Sequence, residues 1–295
     1  MNWKLKRLRK DYMDTPIPKE LDEVVHNTIN RKIKKPRRPN PKWIIGLAAA
    51  ILMFMVSINT SPAFAGSLSK IPVVGSIIQV LTIQEIHVNE RHYSADLKIP
   101  KVRNFDNKDL ENSLNQKYID ESQQLYESFL EKRDQLDEKD GGHLQLQSNY
   151  EVVTDNDKIL SIKRSIEKTQ ASSYEVTKYD TIDKQKEIML TLPILFKNDD
   201  YIDTISAVIK NQMRERMEED PNKIYWVRDA GVKDLPPDGV FDHIDKKQSF
   251  YINNDQKLVI TFNDYEVAPG YMGTAEFIIP TEKIEKELVG NAYIK

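Results

Sequence analysis

The feature that most constrains this chain is one apolar run, WIIGLAAAILMFMVSI (Trp43–Ile58), in a sequence that is otherwise 30% charged. Sixteen residues rise about 24 Å as a helix, against a hydrocarbon core of roughly 30 Å. Extension through NTSPAFA to Ala65 makes up the deficit, and Pro62 opens the helix near its end. Flanking charge sets the direction of the span. RKIKKPRRPNPK (Arg31–Lys42) carries seven positive residues and no acid, whereas the far flank has no positive residue until Lys70. The positive-inside rule then puts the N-terminus in the cytoplasm and everything after residue 66 outside. Just beyond the run stand Ala63, Phe64 and Ala65, followed by Gly66; small residues three and one before a bond are what signal peptidase reads. Anchor and cut site therefore coincide.

Charge divides at the same place. Residues 1–42 hold 13 Lys/Arg and 5 Asp/Glu, and residues 43–295 hold 30 and 41, so a net charge of −3 conceals +8 on one side and −11 on the other. The chain has no cysteine, which excludes disulfides, thiolate metal sites, cysteine nucleophiles and an acylated lipoprotein cysteine. A secretory signal peptide with a long basic lead is the competing account of the run. Against it stands the lead itself, since export needs neither 42 residues nor internal helical patterning.

That patterning is specific. In PIPKELDEVVHNTIN, Pro16 and Pro18 precede acids in a first turn, and Leu21, Val24, Val25, Thr28 and Ile29 fall at helical spacing. Trp3, Leu5, Leu8 and Tyr12 repeat the pattern upstream among basic residues. Two short amphipathic helices cannot bury their apolar faces on each other well and are marginal alone in water. They call for a partner, either a protein or an anionic membrane surface. The cluster 31–38 reads as a topogenic charge patch, and no helix-turn-helix or zinc module marks the segment for direct nucleic-acid binding.

Outside, the stretch SLSKIPVVGSIIQVLTIQEI keeps a helical period through Leu68, Ile71, Val74, Ile77, Ile78 and Leu81, weakened by Pro72 and Gly75. It predicts an amphipathic juxtamembrane segment over 66–82. The remainder, 83–295, reads as an α+β domain on antiparallel sheet with two long helices and two subdomains meeting near 185. A hairpin turns near Asn89-Glu90, and a helix runs over NKDLENSLNQKYIDESQQLYESFLEKRDQL with Leu110, Leu114, Tyr118, Leu125, Phe129 and Leu136 on one side. HLQLQSNYEVVTD, KILSIKRSIEK and SSYEVTKYDTIDKQKEIMLTL alternate as antiparallel strands with one wet face, with turns at Asp-Asn-Asp-Lys and Asp-Lys-Gln-Lys. A second helix ends before Pro221; a hairpin at Asn253-Asn254-Asp255, the strand TAEFIIP and a short helix over TEKIEKELV close the chain.

Chemistry is sparse. Downstream of Gly66, His87, His92, His143 and His243 match no metal-ligand spacing, and neither a G-x-S-x-G elbow nor a phosphate-binding glycine loop occurs. The expectation is a protein without enzymatic activity, cofactor or metal. Asp264 and Glu266 alternate and would share a face on a strand, a pattern open to a carboxylate pair or to a solvated surface. The most unusual composition is EVAPGYMGTAEF, where Pro269, Gly270 and Gly273 frame Tyr271 and Met272. Pro-Gly favours a tight turn, here carrying an aromatic and a thioether at its tip. A rigid exposed tyrosine is a low-entropy anchor for a protein partner; alternatively it folds back on its sheet.

DYEVAPGYMG, EDPNKIYW, TQASSY, ESQQLY and SKIPVVG, behind a basic lead, one anchor and an AFA site, resemble the RsiV-like anti-sigma-V factors of Gram-positive bacteria over essentially the whole chain. The resemblance implies a single-pass membrane protein whose cytoplasmic segment sequesters an extracytoplasmic-function sigma factor and whose exterior domain binds lysozyme. It implies that ligand binding admits signal peptidase and then a site-2 intramembrane protease, freeing the sigma factor. Carried onto this sequence, the first cut falls between Ala65 and Gly66, with lysozyme contact at Pro269, Gly270 and Tyr271 and a second patch at Ser172 and Ser173. Sigma contact is assigned by periodicity alone to Leu21, Val24, Val25 and Ile29. An anchored or secreted wall-associated lysozyme inhibitor is the alternative, and would need no patterned cytoplasmic helix.

Overall fold

In the computed structural model the described residues are 78–137, 142–232, 235–236 and 239–295, all within the unit Val73–Lys295. The cytoplasmic helices, the span 43–65 and the AFA-G site lie outside them; among the described residues no helix is long and apolar enough to cross a membrane. β1 (Gln79–Glu90) opens inside the stretch read as amphipathic, so Leu81 stands on a strand there. It pairs antiparallel with β2 (Tyr93–Arg103) through a turn at Arg91-His92, two residues beyond the expected Asn89-Glu90.

The long helix α1 (Lys108–Asp137) forms where the period predicts it. Asn107 caps it, its Oδ1 accepting from the Leu110 N–H at 3.1 Å, and Asp109 and Glu111 place acids in the first turn. Leu114, Tyr118 and Phe129 bury one stripe on the sheet, each such side chain stabilising by about 1.5–3 kcal/mol. Thirty residues of helix carry the chain about 45 Å back to the start of β2. β3 (Leu144–Asp155) therefore enters parallel to β2, with Tyr93 opposite Leu144 and Leu97 opposite Ser148. This corrects the expectation of a purely antiparallel sheet: a strand, a covering helix and a neighbouring strand make a crossover unit, and the return path fixes the direction.

β4 (Ile159–Thr169), β5 (Ser173–Asp183) and the short β6 (Ile188–Met189) continue antiparallel, giving the order β1-β2-β3-β4-β5-β6. A second sheet joins β7 (Phe250–Ile252), β8 (Leu258–Phe262) and β9 (Ala275–Ile279) in that order, all antiparallel. After the single turn α2 (Leu192–Leu195), helix α3 (Tyr201–Glu219) lays Tyr201, Ile205, Ile209 and Met213 into the core of this half. The final helix is one turn, α4 (Thr281–Ile284), shorter than TEKIEKELV suggested. The start of β4 is covered on both faces: Ile159 joins the core beneath α3, whereas Leu160 and Ile162 join the core beneath α1.

The two sheets are tied by polar groups as well. Tyr179 of β5 and Tyr251 of β7 stack with centroids 4.9 Å apart, and their hydroxyls donate to the two carboxylate oxygens of Glu276 at 2.9 and 3.0 Å. Burial and the adjacent carboxylate push both phenols far above their ordinary range, so they stay donors at any physiological pH. The Thr154 hydroxyl, buried on β3, donates to the Ile252 carbonyl at 2.7 Å.

Candidate partner-binding face

Two exposed stretches carry the predicted contacts. The first is the tip of the β4–β5 hairpin, Gln170–Ser172, followed by Ser173 at the start of β5; Ser172 and Ser173 are both exposed. The tip is held by its own hydroxyls: Ser173 Oγ donates to Glu167 Oε1 at 2.7 Å and accepts from Thr169 Oγ1 at 3.1 Å. The second is the connection from β8 to β9, where Gly270–Met272 make one turn of 3₁₀ helix rather than a plain hairpin loop. Gly273 closes this turn at φ 66°, a conformation side chains rarely adopt, and its N–H returns to the Gly270 carbonyl at 3.1 Å.

Within this turn the two displayed side chains part company. Tyr271 is 68% exposed, and its hydroxyl donates to the Asn222 carbonyl at 3.1 Å. Met272 turns inward against the core beneath α3, so the tip presents an aromatic without the thioether that the sequence placed beside it. Pro269 and Gly270 are partly buried. Gly270 lies under the ring of Tyr265, a half-exposed residue at φ 64°; a Cβ at 270 would overlap that ring.

The residues between the two stretches join them. Asp264 Oδ2 accepts from the Glu175 N–H at 2.8 Å and Asn263 Oδ1 accepts from the Thr177 N–H at 2.7 Å, so side chains of the β8–β9 connection cover the outer edge of β5. One end of this bridge is two residues from Ser173 and the other runs through Tyr265 to Gly270. Contacts thus run from Glu175, two residues past Ser173, through Asp264 and Tyr265 to Gly270; the sequence reading had Asp264 only as a candidate carboxylate partner of Glu266 and gave Tyr265 no role. Asn263-Asp264 carried a turn-former's signal; nothing in the sequence marks Tyr265 as left-handed.

The carboxylate pair dissolves. Asp264 and Glu266 lie beyond β8 rather than on a strand, and Glu266 accepts from the Asn263 N–H at 2.7 Å and from Gln248 at 3.1 Å, so both serve the loop. Among the histidines, His92 and His143 meet edge to face at 4.8 Å, yet among the described residues no group of three His, Asp or Glu side chains could hold a metal. Ala63, Ala65, Gly66, Leu21, Val24, Val25 and Ile29 lie outside the described residues.

Comparison with known proteins follows this geometry. A family described as "Protein of unknown function (DUF3298)" matches residues 194–282, and a "Domain of unknown function (DUF4179)" matches residues 35–166. A Bacillus subtilis (strain 168) protein named anti-sigma-V factor RsiV is 47% identical over 295 residues, covering 100% of each chain. A DUF3298-family crystal structure from Bacteroides fragilis superposes with TM-score 0.51 at 18% identity, covering 73% of this chain and 95% of that one. Another from Pseudomonas aeruginosa PAO1 gives 0.50 at 12%, covering 75% and 98%. These two share the fold.

Proposed function

The chain belongs to the family of RsiV-like anti-sigma factors, and from that premise we propose that it is a membrane-spanning inhibitor of an extracytoplasmic-function sigma factor that is switched off by lysozyme. The observation that carries the reading is identity of 47% running over the whole of both chains, so that the similarity takes in the basic lead as well as the exterior domain. Such a protein is a regulator, and the bland carboxylates of the exterior domain suit that role better than catalysis.

Residues 1–42 hold the sigma factor through the stripe Leu21, Val24, Val25 and Ile29. Residues 43–65 span the membrane, with the N-terminus cytoplasmic and 83–295 outside. Lysozyme docks on Pro269, Gly270 and Tyr271 with Ser172 and Ser173 as the second patch, a pairing supported by the bridge through Asp264 and Tyr265. The −11 charge beyond residue 42 draws in a basic protein and makes encounter salt-sensitive. Docking admits signal peptidase to the bond between Ala65 and Gly66, and a site-2 protease then cuts the anchor and frees the sigma factor.

Two arms test this. Membranes carrying the protein are mixed with signal peptidase, with and without lysozyme, and the N-terminus of the released fragment is sequenced. A fragment beginning at Gly66 is expected only with lysozyme; equal cleavage without it makes the chain a secreted protein. Independently, Leu21→Asp with Val25→Asp is expected to raise target transcription to the fully induced level without lysozyme. Unchanged transcription removes the stripe from the sigma contact.

A further inference from the structure

Beside the β4–β5 tip a groove of about 570 Å³ opens between α1, the start of β3 and the hairpin, a volume typical of small-ligand sites. Its walls reverse the local electrostatics. Beyond residue 42 the chain carries 41 acids against 30 bases, yet the groove is lined by Lys132 of α1 and Lys168 of β4 and by no carboxylate among the described residues. Neither ammonium has an ion-pair or hydrogen-bond partner among the described residues. Two lysines without a partner among the described residues favour an anion inside the groove.

The rest of the lining narrows the anion. Tyr174, 39% exposed, offers an aromatic surface at the hairpin end, above a floor containing Phe129. Gln170 at the hairpin tip also lines the groove, with an amide that supplies donors and acceptors together. A sugar ring has a C–H face for an aromatic and hydroxyls for amides. An added peptide strand finds no edge here, because β4 is paired on both sides, Thr169 with Gln145 of β3 and with Ser173 of β5. The geometry points to a binding site for a carboxylated oligosaccharide, with a sugar ring against Tyr174 and its carboxylate between Lys132 and Lys168.

The test titrates the purified full-length chain in detergent micelles with a tetrasaccharide of alternating N-acetylglucosamine and N-acetylmuramic acid. Chitotetraose is the uncharged match, a glycerol phosphate oligomer the phosphate match and oligoglutamate the peptide match. The carboxylated saccharide is expected to bind at least about tenfold more tightly than the other three. Lys132→Gln with Lys168→Gln should reduce it to the chitotetraose level, and Tyr174→Ala should weaken both saccharides; all three side chains are at the surface of the groove, so the fold is spared. Equal binding of chitotetraose overturns the charge assignment, tighter binding of glycerol phosphate overturns the carboxylate, and tighter binding of oligoglutamate replaces the glycan by an acidic protein segment. The groove shares Ser172 with the proposed lysozyme contact, but no lysozyme is in the titration, so the two readings fail separately.

Discussion

Asp180→Ala is expected to destabilise the exterior domain by about 3–5 kcal/mol, enough to threaten a fold whose total stability is of order 5–15 kcal/mol. Asp180 on β5 and Arg164 on β4 are 2% and 6% exposed, and the guanidinium lies against the Asp180 carboxylate, with Nη2 at 3.1 Å and Nε at 3.2 Å. Lys117 of α1 donates to the other Asp180 oxygen at 2.7 Å, and the Arg164 guanidinium sits 4.8 Å over the Tyr118 ring. Among the described residues, removing the carboxylate leaves the buried cation with the Tyr118 ring and with Glu121, at 2.7 Å from Nη1 and shared with Lys178. Urea unfolding of the full chain followed by near-ultraviolet circular dichroism should show the midpoint falling at unchanged slope. The double replacement Arg164→Met, Asp180→Leu should cost less than Asp180→Ala, since it removes both charges and keeps apolar volume. A loss below about 1 kcal/mol for Asp180→Ala would mean that water reaches the site and the pair is not structural.

The same cluster gives a pH dependence of definite sign. Burial pushes the Glu121 carboxyl up, but hydrogen bonds from Arg164 and Lys178 and their charges outweigh it and hold the group below the ordinary carboxylate range. A carboxyl depressed in the folded state stabilises fully above its unfolded value, about 4.3, and loses that contribution as the pH falls through the folded value. Thermal melts are therefore expected to be flat around this group from pH 7 to 5 and to fall below about pH 4. Glu121→Gln should flatten the acid limb while lowering stability at neutral pH, and an acid limb identical in both proteins would assign the sensitivity to other carboxyls.

What was legible in the sequence and what was not follow from the range of the interactions. The period of α1 and α3 and the alternation of β3, β4 and β5 are local, and each element formed where its pattern stood. The parallel step from β2 to β3 is set by where α1 returns the chain, which no strand pattern records. Arg164 illustrates the other limit: among Lys163, Glu167 and Lys168 it reads as one charge on a wet face, but α1 covers that face and makes it buried. At the candidate face, Pro269, Gly270 and Gly273 announced an exposed turn, and Tyr271 is exposed on it. Met272 went inward: a 3₁₀ turn rotates successive side chains by about 120°, and here that rotation carries Met272 from the exposed side onto the core.

That rotation isolates Tyr271 and makes its removal the sharpest functional test. Tyr271→Ala is expected to cost at least about 2 kcal/mol of lysozyme binding, a loss of roughly 30-fold or more, because an exposed tyrosine on a turn closed by Gly273 reaches its partner with little conformational entropy to lose. The fold should be indifferent. One hydroxyl bond to the Asn222 carbonyl is given up, and that carbonyl is open to water. Equal unfolding curves for the two proteins, measured beside binding by calorimetry, separate the two effects. Gly270→Ala asks the complementary question. Its Cβ must displace the Tyr265 ring while leaving the backbone conformation available, since Gly270 has no left-handed requirement and the ring is the free end of a half-exposed side chain. If Tyr265 holds the turn against the hairpin tip, Gly270→Ala should weaken lysozyme binding while Tyr271 is still present. If Tyr271→Ala binds lysozyme as the parent does, the turn is a structural closure of β8 and β9, and the contact must be sought at Ser172 and Ser173 alone.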